Sequence, residues 1–210
     1  MPLFKSINVS PTTQILIWKV TESLEELVSQ VDMKPKTQFR FDGMKSELHK
    51  RAFLSVRMLL KEIGVTDFDL HYDEFGKPYL SDHRYISITH SHNFASIIVS
   101  EETVGIDMEL QREKIIRIAD KFVDYEFDYL NAENKEEYIK KLTVIWGAKE
   151  AIFKIRNEKG ISFKDHIQVE PFSLKENQTQ ACLLFDDLKK KFEVNYLEIE
   201  NFTLVYAFEK

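Results

Sequence analysis

The stretch Val104-Gly105-Ile106-Asp107-Met108-Glu109-Leu110 limits the fold more than any other part of the chain. Apolar side chains alternate there with glycine and two carboxylates, the period-2 pattern of a strand with two unlike faces. Val104, Ile106, Met108 and Leu110 belong against a core, which leaves Gly105, Asp107 and Glu109 on the opposite face. Side chains two apart on one face of a strand stand about 6.5–7 Å apart. Two acids at that spacing can converge on one hard cation. The same pattern equally describes an amphipathic strand whose acidic face meets water.

Around this stretch the chain alternates helical and strand patterns. Gln14–Val20 reads as a strand, and Thr21–Val28 as a short helix with Ser23 and Glu26 at capping-box spacing. Met33–Asp42 carries Lys34, Lys36 and Arg40. A helix is predicted from Ser46 to Ile63 on the stripe Leu48, Ala52, Val56, Leu59, Leu60 and Ile63, and Gly64 ends it. Lys50, Arg51 and Arg57 lie off that stripe, as on an ordinary solvated face. Asp67–Tyr72 and Lys77–Leu80 flank Asp73-Glu74-Phe75-Gly76 as a hairpin. Tyr85–His90 and Ala95–Ser100 are strands joined by Ser91-His92-Asn93-Phe94. The polar cluster Thr89, His90, Ser91 and His92 admits three readings. It can be a weak zinc site, a hydrogen-bonded turn, or a donor-rich pocket for an anion.

Beyond the acidic strand, Ile115–Leu130 and Glu136–Ile155 read as helices, and Ile167–Glu170, Ala181–Phe185, Phe192–Leu197 and Thr203–Phe208 as strands. His92–Glu101 echoes Glu200–Glu209 at an offset of 108 residues, about half the chain of 210. Two equivalent α+β halves are expected from this, 1–102 and 103–210, the second carrying the acidic strand. A cleft between halves is a usual place for a ligand.

Composition narrows the class. A hydrophobic content of 43% and a charged content of 30% describe a globular chain. The net charge of −6, spread without long single-sign runs, argues against a general nucleic-acid or anionic-membrane binder. No apolar run is long enough to span a bilayer, and Met1-Pro2-Leu3-Phe4-Lys5 carries no leader pattern. Cys182 is the only cysteine, which excludes a disulfide framework and a cysteine metal site, and it reads as a buried strand residue. A cytoplasmic protein is expected.

A second constellation lies in Trp146-Gly147-Ala148-Lys149-Glu150-Ala151-Ile152-Phe153-Lys154. Glu150 and Lys154 stand four apart on one helix face. A routine exposed pair is one reading, but the surrounding residues are apolar and small. Three carboxylates and a lysine suit Mg²⁺ with a phosphate substrate.

Together the two stretches resemble the signature motifs of the 4′-phosphopantetheinyl transferases. Gly76-Lys77-Pro78 and Ile88-Thr89-His90-Ser91, with the length and the duplicated halves, are similar to the surfactin-synthetase-activating type. The likeness runs from about Lys50 to Lys154; the last fifty residues match only in strand pattern. It implies a monomer of two pseudo-symmetric halves that moves the phosphopantetheine arm of coenzyme A to a serine of an apo acyl or peptidyl carrier protein. It implies Asp107, Glu109 and Glu150 as ligands of Mg²⁺, with Mn²⁺ as the other candidate ion. Glu150 matches the residue that takes the serine proton, directly or through water, and Lys154 the lysine near the pyrophosphate. Thr89 and His90 match holders of the 3′-phosphate. Arg51, Lys77, Asp107 and Lys154 match further coenzyme A contacts. Thr89 stands where serine is usual, Gly147 and Ala148 replace bulkier or hydroxylated residues, and Met108 departs from the usual aliphatic or acidic residue. A carrier-protein docking patch is expected at Phe122 and Val123 with Lys121 and Arg117 nearby. The alternative is a binding module that grips coenzyme A or a carrier protein without catalysis. The absence of a Gly-x-x-x-x-Gly-Lys-Ser/Thr loop disfavours a P-loop enzyme.

Overall fold

The computed structural model describes residues 3–210. Met1 and Pro2, the start of the stretch read for a leader, lie outside the described residues. Two compact units divide the chain, Met1–Glu102 and Thr103–Lys210. Each holds one antiparallel sheet with helices, so the class is α+β.

The first unit runs β1 (Leu3–Ser10), β2 (Thr13–Lys19), α1 (Leu24–Val28), α2 (Pro35–Asp42), α3 (Glu47–Glu62), β3 (Leu70–Tyr72), β4 (Pro78–Leu80), β5 (Tyr85–Ser91) and β6 (Phe94–Ser100). The sheet order is β1-β2-β6-β5-β4-β3. Ser23 caps α1 with the capping box expected of it: Ser23 Oγ accepts from Glu26 N at 3.2 Å, and Glu26 Oε2 from Ser23 N at 2.8 Å. Ser46 caps α3, and Gly64 leaves the helix at φ 75°. Ala52, Val56, Leu59 and Leu60 fill the core beneath α3, but Leu48 is 44% exposed in its first turn. β1 escapes the sequence pattern because most of its side chains face solvent; only its ladder to β2 defines it.

Arg57 corrects the reading of a solvated face. It is 3% exposed, with Nε donating to Asp67 Oδ1 at 2.9 Å and its guanidinium 3.6 Å above the Phe53 ring. Asp67 Oδ2 also accepts from Lys34 N at 3.0 Å. A charge this deep is tolerated only when paired and hydrogen-bonded. The partner lies ten residues away, beyond the end of the helix, where helical periodicity does not look.

The second unit runs β7 (Val104–Leu110), two 3₁₀ segments (Glu113–Lys121 and Tyr125–Asp128), α4 (Lys135–Arg156), α5 (Phe163–His166), β8 (Ile167–Val169), β9 (Gln178–Phe185), β10 (Leu188–Ile199) and β11 (Phe202–Glu209). Its sheet order is β7-β11-β10-β9-β8. The single helix expected over 115–130 is broken at Phe122–Asp124. Phe122 and Val123 turn into the core there, and the Glu126 carboxylate takes up Asp124 N. α4 is capped by Asn134 and stops on Asn157, whose φ of 49° is left-handed. Cys182 is half-buried on β9, and burial pushes its thiol up, away from reactivity.

The ten-residue echo corresponds to one hairpin built twice. His92 (φ 52°) and Glu200 (φ 53°) open two-residue turns, after which β6 and β11 begin at Phe94 and Phe202. In each unit the turn asparagine is met by the strand on the hairpin's other side: Val20 N donates to Asn93 O at 2.7 Å, and Gln111 N to Asn201 O at 2.9 Å.

Candidate active site

β7 and α4 bring the acids together. α4 lies on the face of β7 that carries Gly105, Asp107 and Glu109, so that face is covered rather than solvated. Glycine makes the approach possible. A Cβ at Gly105 would lie 2.1 Å from Ala151 O, and one at Gly147 would lie 2.6 Å from Val205 Cγ2 on β11 and 3.8 Å from Asp107 Oδ2. The absence of bulk at Gly147 is therefore a packing requirement of the helix against β11.

Asp107 is 5% exposed. Its Oδ1 accepts from Lys154 Nζ at 2.8 Å, and the same ammonium donates to Ile106 O at 2.9 Å. Lys154 thus bridges helix and strand instead of forming only the i, i+4 pair that its spacing to Glu150 suggests. Glu109 and Glu150 are half-buried. Burial pushes the Glu150 carboxyl up to about 7; the Asp107 carboxylate adds to this, Lys154 opposes it, and Glu109 adds a further push. The three acids therefore feel one another, and negative charge is in excess.

Among the described residues, no group of three His, Cys, Asp or Glu side chains is arranged to hold a metal ion by itself. The donor set is all-oxygen and over-charged, which fits a hard divalent cation that takes few protein ligands and leaves places for water and phosphate. By that chemistry the residues present fit Mg²⁺ or Mn²⁺.

In the first unit, Thr89 is buried on β5 and His90 is exposed beside it. The His90 ring stands 6.0 Å from that of His49 in the first turn of α3, a neighbour that sequence reasoning missed. Arg51 is half-buried on α3, and its Nη2 donates to Val20 O at 3.4 Å. Lys77 is half-buried in the β3–β4 turn, with its backbone N on Asp73 Oδ1 at 2.8 Å.

The docking patch needs correcting. Phe122 is 1% exposed, its ring edge-on to Trp146 at 5.0 Å, and Val123 is fully buried. Neither can serve as a surface anchor; Lys121 and Arg117 are exposed. A cleft of about 170 Å³ lies nearer the acids, lined by Glu109, Arg112, Lys114, Ile115, Ile118 and Trp146. Sequence reasoning also passed over Lys149. Its Nζ pairs with Glu126 Oε1 at 2.7 Å and both side chains are essentially without exposure. The signal available was a lysine amid Ala148, Ala151 and Ile152, on the side of the helix that carries Trp146 and Phe153.

Comparison with known proteins decides the family. The profile of the 4′-phosphopantetheinyl transferase superfamily matches residues 103–207, half of the chain. The chain belongs to that superfamily. The resemblance drawn from the motifs is thereby borne out. A curated relative, the 4′-phosphopantetheinyl transferase gsp of Aneurinibacillus migulanus, is 29% identical over 119 residues, 56% of this chain and 48% of that protein. The match thus spans about half the relative's length. In this transferase-superfamily chain the matched segment contains β7, α4 and the acids Asp107, Glu109 and Glu150. Among the described residues no helix is long and apolar enough to cross a membrane.

Proposed function

We propose that the protein transfers the 4′-phosphopantetheine arm of coenzyme A to a serine of an apo carrier protein, with Mg²⁺ or Mn²⁺ held by Asp107, Glu109 and Glu150. The observation that carries this reading is the joining of β7 to α4. There Asp107 is bound by Lys154, while Glu150 is held near 7 by burial and by the other two acids.

The reaction joins the serine Oγ to the β-phosphorus and breaks the bond from that phosphorus to the bridging oxygen. Adenosine 3′,5′-bisphosphate leaves, and the serine proton is released. A divalent cation, when bound, offsets the charge of the pyrophosphate and orients it. Glu150 takes the serine proton, directly or through a water; burial and the neighbouring acids raise its carboxyl, and a bound cation would offset that rise. Lys154 spends two of its three N–H donors on Asp107 and Ile106 and turns the third to a phosphate oxygen. Thr89 and His90 bind the 3′-phosphate, and Arg51 and Lys77 are further contacts for coenzyme A, with His49 beside His90 adding a second imidazole. The carrier protein docks at the cleft of Arg112, Lys114 and Ile118, where two cations suit an acidic partner beside Glu109.

Intact-protein mass spectrometry tests this. Apo carrier protein, coenzyme A and Mg²⁺ are incubated with the protein, with chelator in parallel. A gain of one phosphopantetheine that the chelator abolishes supports the reading. Unmodified carrier protein with coenzyme A still bound would replace it by the binding module.

A further inference from the structure

We propose that the buried Lys149–Glu126 pair is a positioning clamp for Glu150, setting the rotation of α4 about its axis. The proposal rests on the transferase reading above, and Lys149 is in it a positioning residue that never touches substrate.

Lys149 ties α4 to three other segments at once. Nζ donates to Phe122 O at 2.6 Å, where the first 3₁₀ segment ends, and to Phe163 O at 3.0 Å, where α5 begins. It pairs with Glu126 Oε1 in the second 3₁₀ segment at 2.7 Å. Glu126 is tied in turn: Oε1 accepts from Val169 N on β8 at 3.0 Å, and Oε2 from Asp124 N at 3.3 Å. All three donors of the ammonium are used, and the carboxylate accepts from three groups. The residues whose carbonyls hold the ammonium, Phe122 and Phe163, also pack ring to ring with side chains of α4. Trp146 packs edge-on to Phe122 and Phe163, and Phe153 packs against Phe163, at 5.0 to 5.6 Å.

Stability alone is a poor reason for such a pair. Apolar residues of similar volume hold a core at least as well, because the cost of drying two charges offsets much of their attraction. Hydrogen bonds supply direction, which apolar packing lacks. Successive residues of a helix are turned by about 100°. Gly147, Ala151 and Ile155 therefore share the face laid on β7 and β11: Gly147 meets Val205, and Gly105 lets the backbone of β7 approach Ala151. Trp146, Lys149 and Phe153 share another face, held by the clamp. Glu150 projects between the two. With one face fixed by close packing and the other by directed bonds, the helix cannot roll. Side chains reach roughly 5–6 Å from a helix axis, so a roll of about 10° moves a carboxyl by about 1 Å. A displacement of about 1 Å can cost on the order of 10²-fold in rate.

The test is made on the full chain with two variants. Lys149→Met alone leaves Glu126 buried without its cation and is expected to lower the melting temperature sharply. The double variant Glu126→Leu/Lys149→Met removes both charges and is expected to melt within a few degrees of the wild type. At that restored stability, Mn²⁺ binding followed by electron paramagnetic resonance is expected to weaken about tenfold. In carrier-protein modification kcat is expected to fall 10- to 100-fold with KM for coenzyme A unchanged. Should the double variant not fold, Glu126→Gln, which keeps shape and an acceptor oxygen, is put to the same two readouts, with the same losses expected in smaller measure. A folded variant that binds Mn²⁺ and turns over like the wild type would overturn the clamp and leave the transferase reading standing. A wild type that neither binds Mn²⁺ nor modifies carrier protein would overturn both.

Discussion

β2 of the first unit and β7 of the second hold the same station, each paired to the second strand of the repeated hairpin, yet they use one face for opposite ends. Leu16 pairs with Ile97 and Trp18 with Ala95 in the first unit; Asp107 pairs with Val205 and Glu109 with Thr203 in the second. The hairpin echo makes these pairs equivalent. Leu16 and Trp18 join the core that α3 covers. Asp107 and Glu109 lie where α4 covers the sheet, and both give up apolar packing for charge. The same backbone frame thus spends a face on stability in one unit and on chemistry in the other. A protein breaks local rules at its functional sites and makes up the loss elsewhere. Here the close packing of α4 on the sheet, at Gly105 and Gly147, is the compensating feature.

That comparison can be broken most severely through the buried cation of the first unit. Arg57→Leu strands Asp67 in the core, and a loss of about 3–5 kcal/mol is expected in chemical denaturation. A loss under about 1 kcal/mol would show that the first unit does not depend on its paired charge.

Asp107→Leu gives the second unit the residue that the first has at that station. Transfer is expected to fall by about 10²–10³-fold, the usual loss when a group that stabilises developing charge is removed. Thermal stability should hold or rise, since a buried carboxylate is replaced by an apolar side chain. Loss of the fold together with activity would mean that Asp107 is structural.

Gly105→Ala probes the approach of helix to strand. The new methyl would meet a backbone carbonyl, which cannot swing aside. Overpacking of this kind costs about 1–3 kcal/mol, so a lowered melting temperature with weaker Mn²⁺ binding is expected. An unchanged melting curve would show that α4 can shift freely.

The smallest effect is one of pH. The Glu150 carboxyl titrates near 7 in the folded chain against 4.5 for an ordinary glutamate. The folded state therefore holds this proton more tightly than the unfolded. Its contribution to stability is full below 4.5 and is lost as pH rises through 7. Melting temperature is expected to fall by a few degrees over that window, and Glu150→Gln should flatten the fall. Mn²⁺ competes with the proton, so its affinity is expected to rise from pH 5 to pH 8. An affinity independent of pH would remove Glu150 from the ligand set.

Much of this was legible in the chain itself. The order of most strands and helices, the cap at Ser23 and the hairpin echo follow from local pattern, because turns, caps and periodicity act over a few residues. The acids of β7 and α4 were legible for the same reason: they sit in short motifs of fixed spacing. β1 was not, since an exposed edge strand has little apolar rhythm.

By itself, then, the sequence determined most of the elements and the alternation of faces along them, though not β1 or the break within 115–130. Tertiary structure alone decided what covers each face. It laid α4 on the acidic side of β7, turned Phe122 inward, and buried Arg57 and Lys149 against Asp67 and Glu126. The physical reason is range. Periodicity fixes a side chain's direction within its own element, whereas burial and ion pairing depend on partners 10 and 23 residues away whose approach only packing sets.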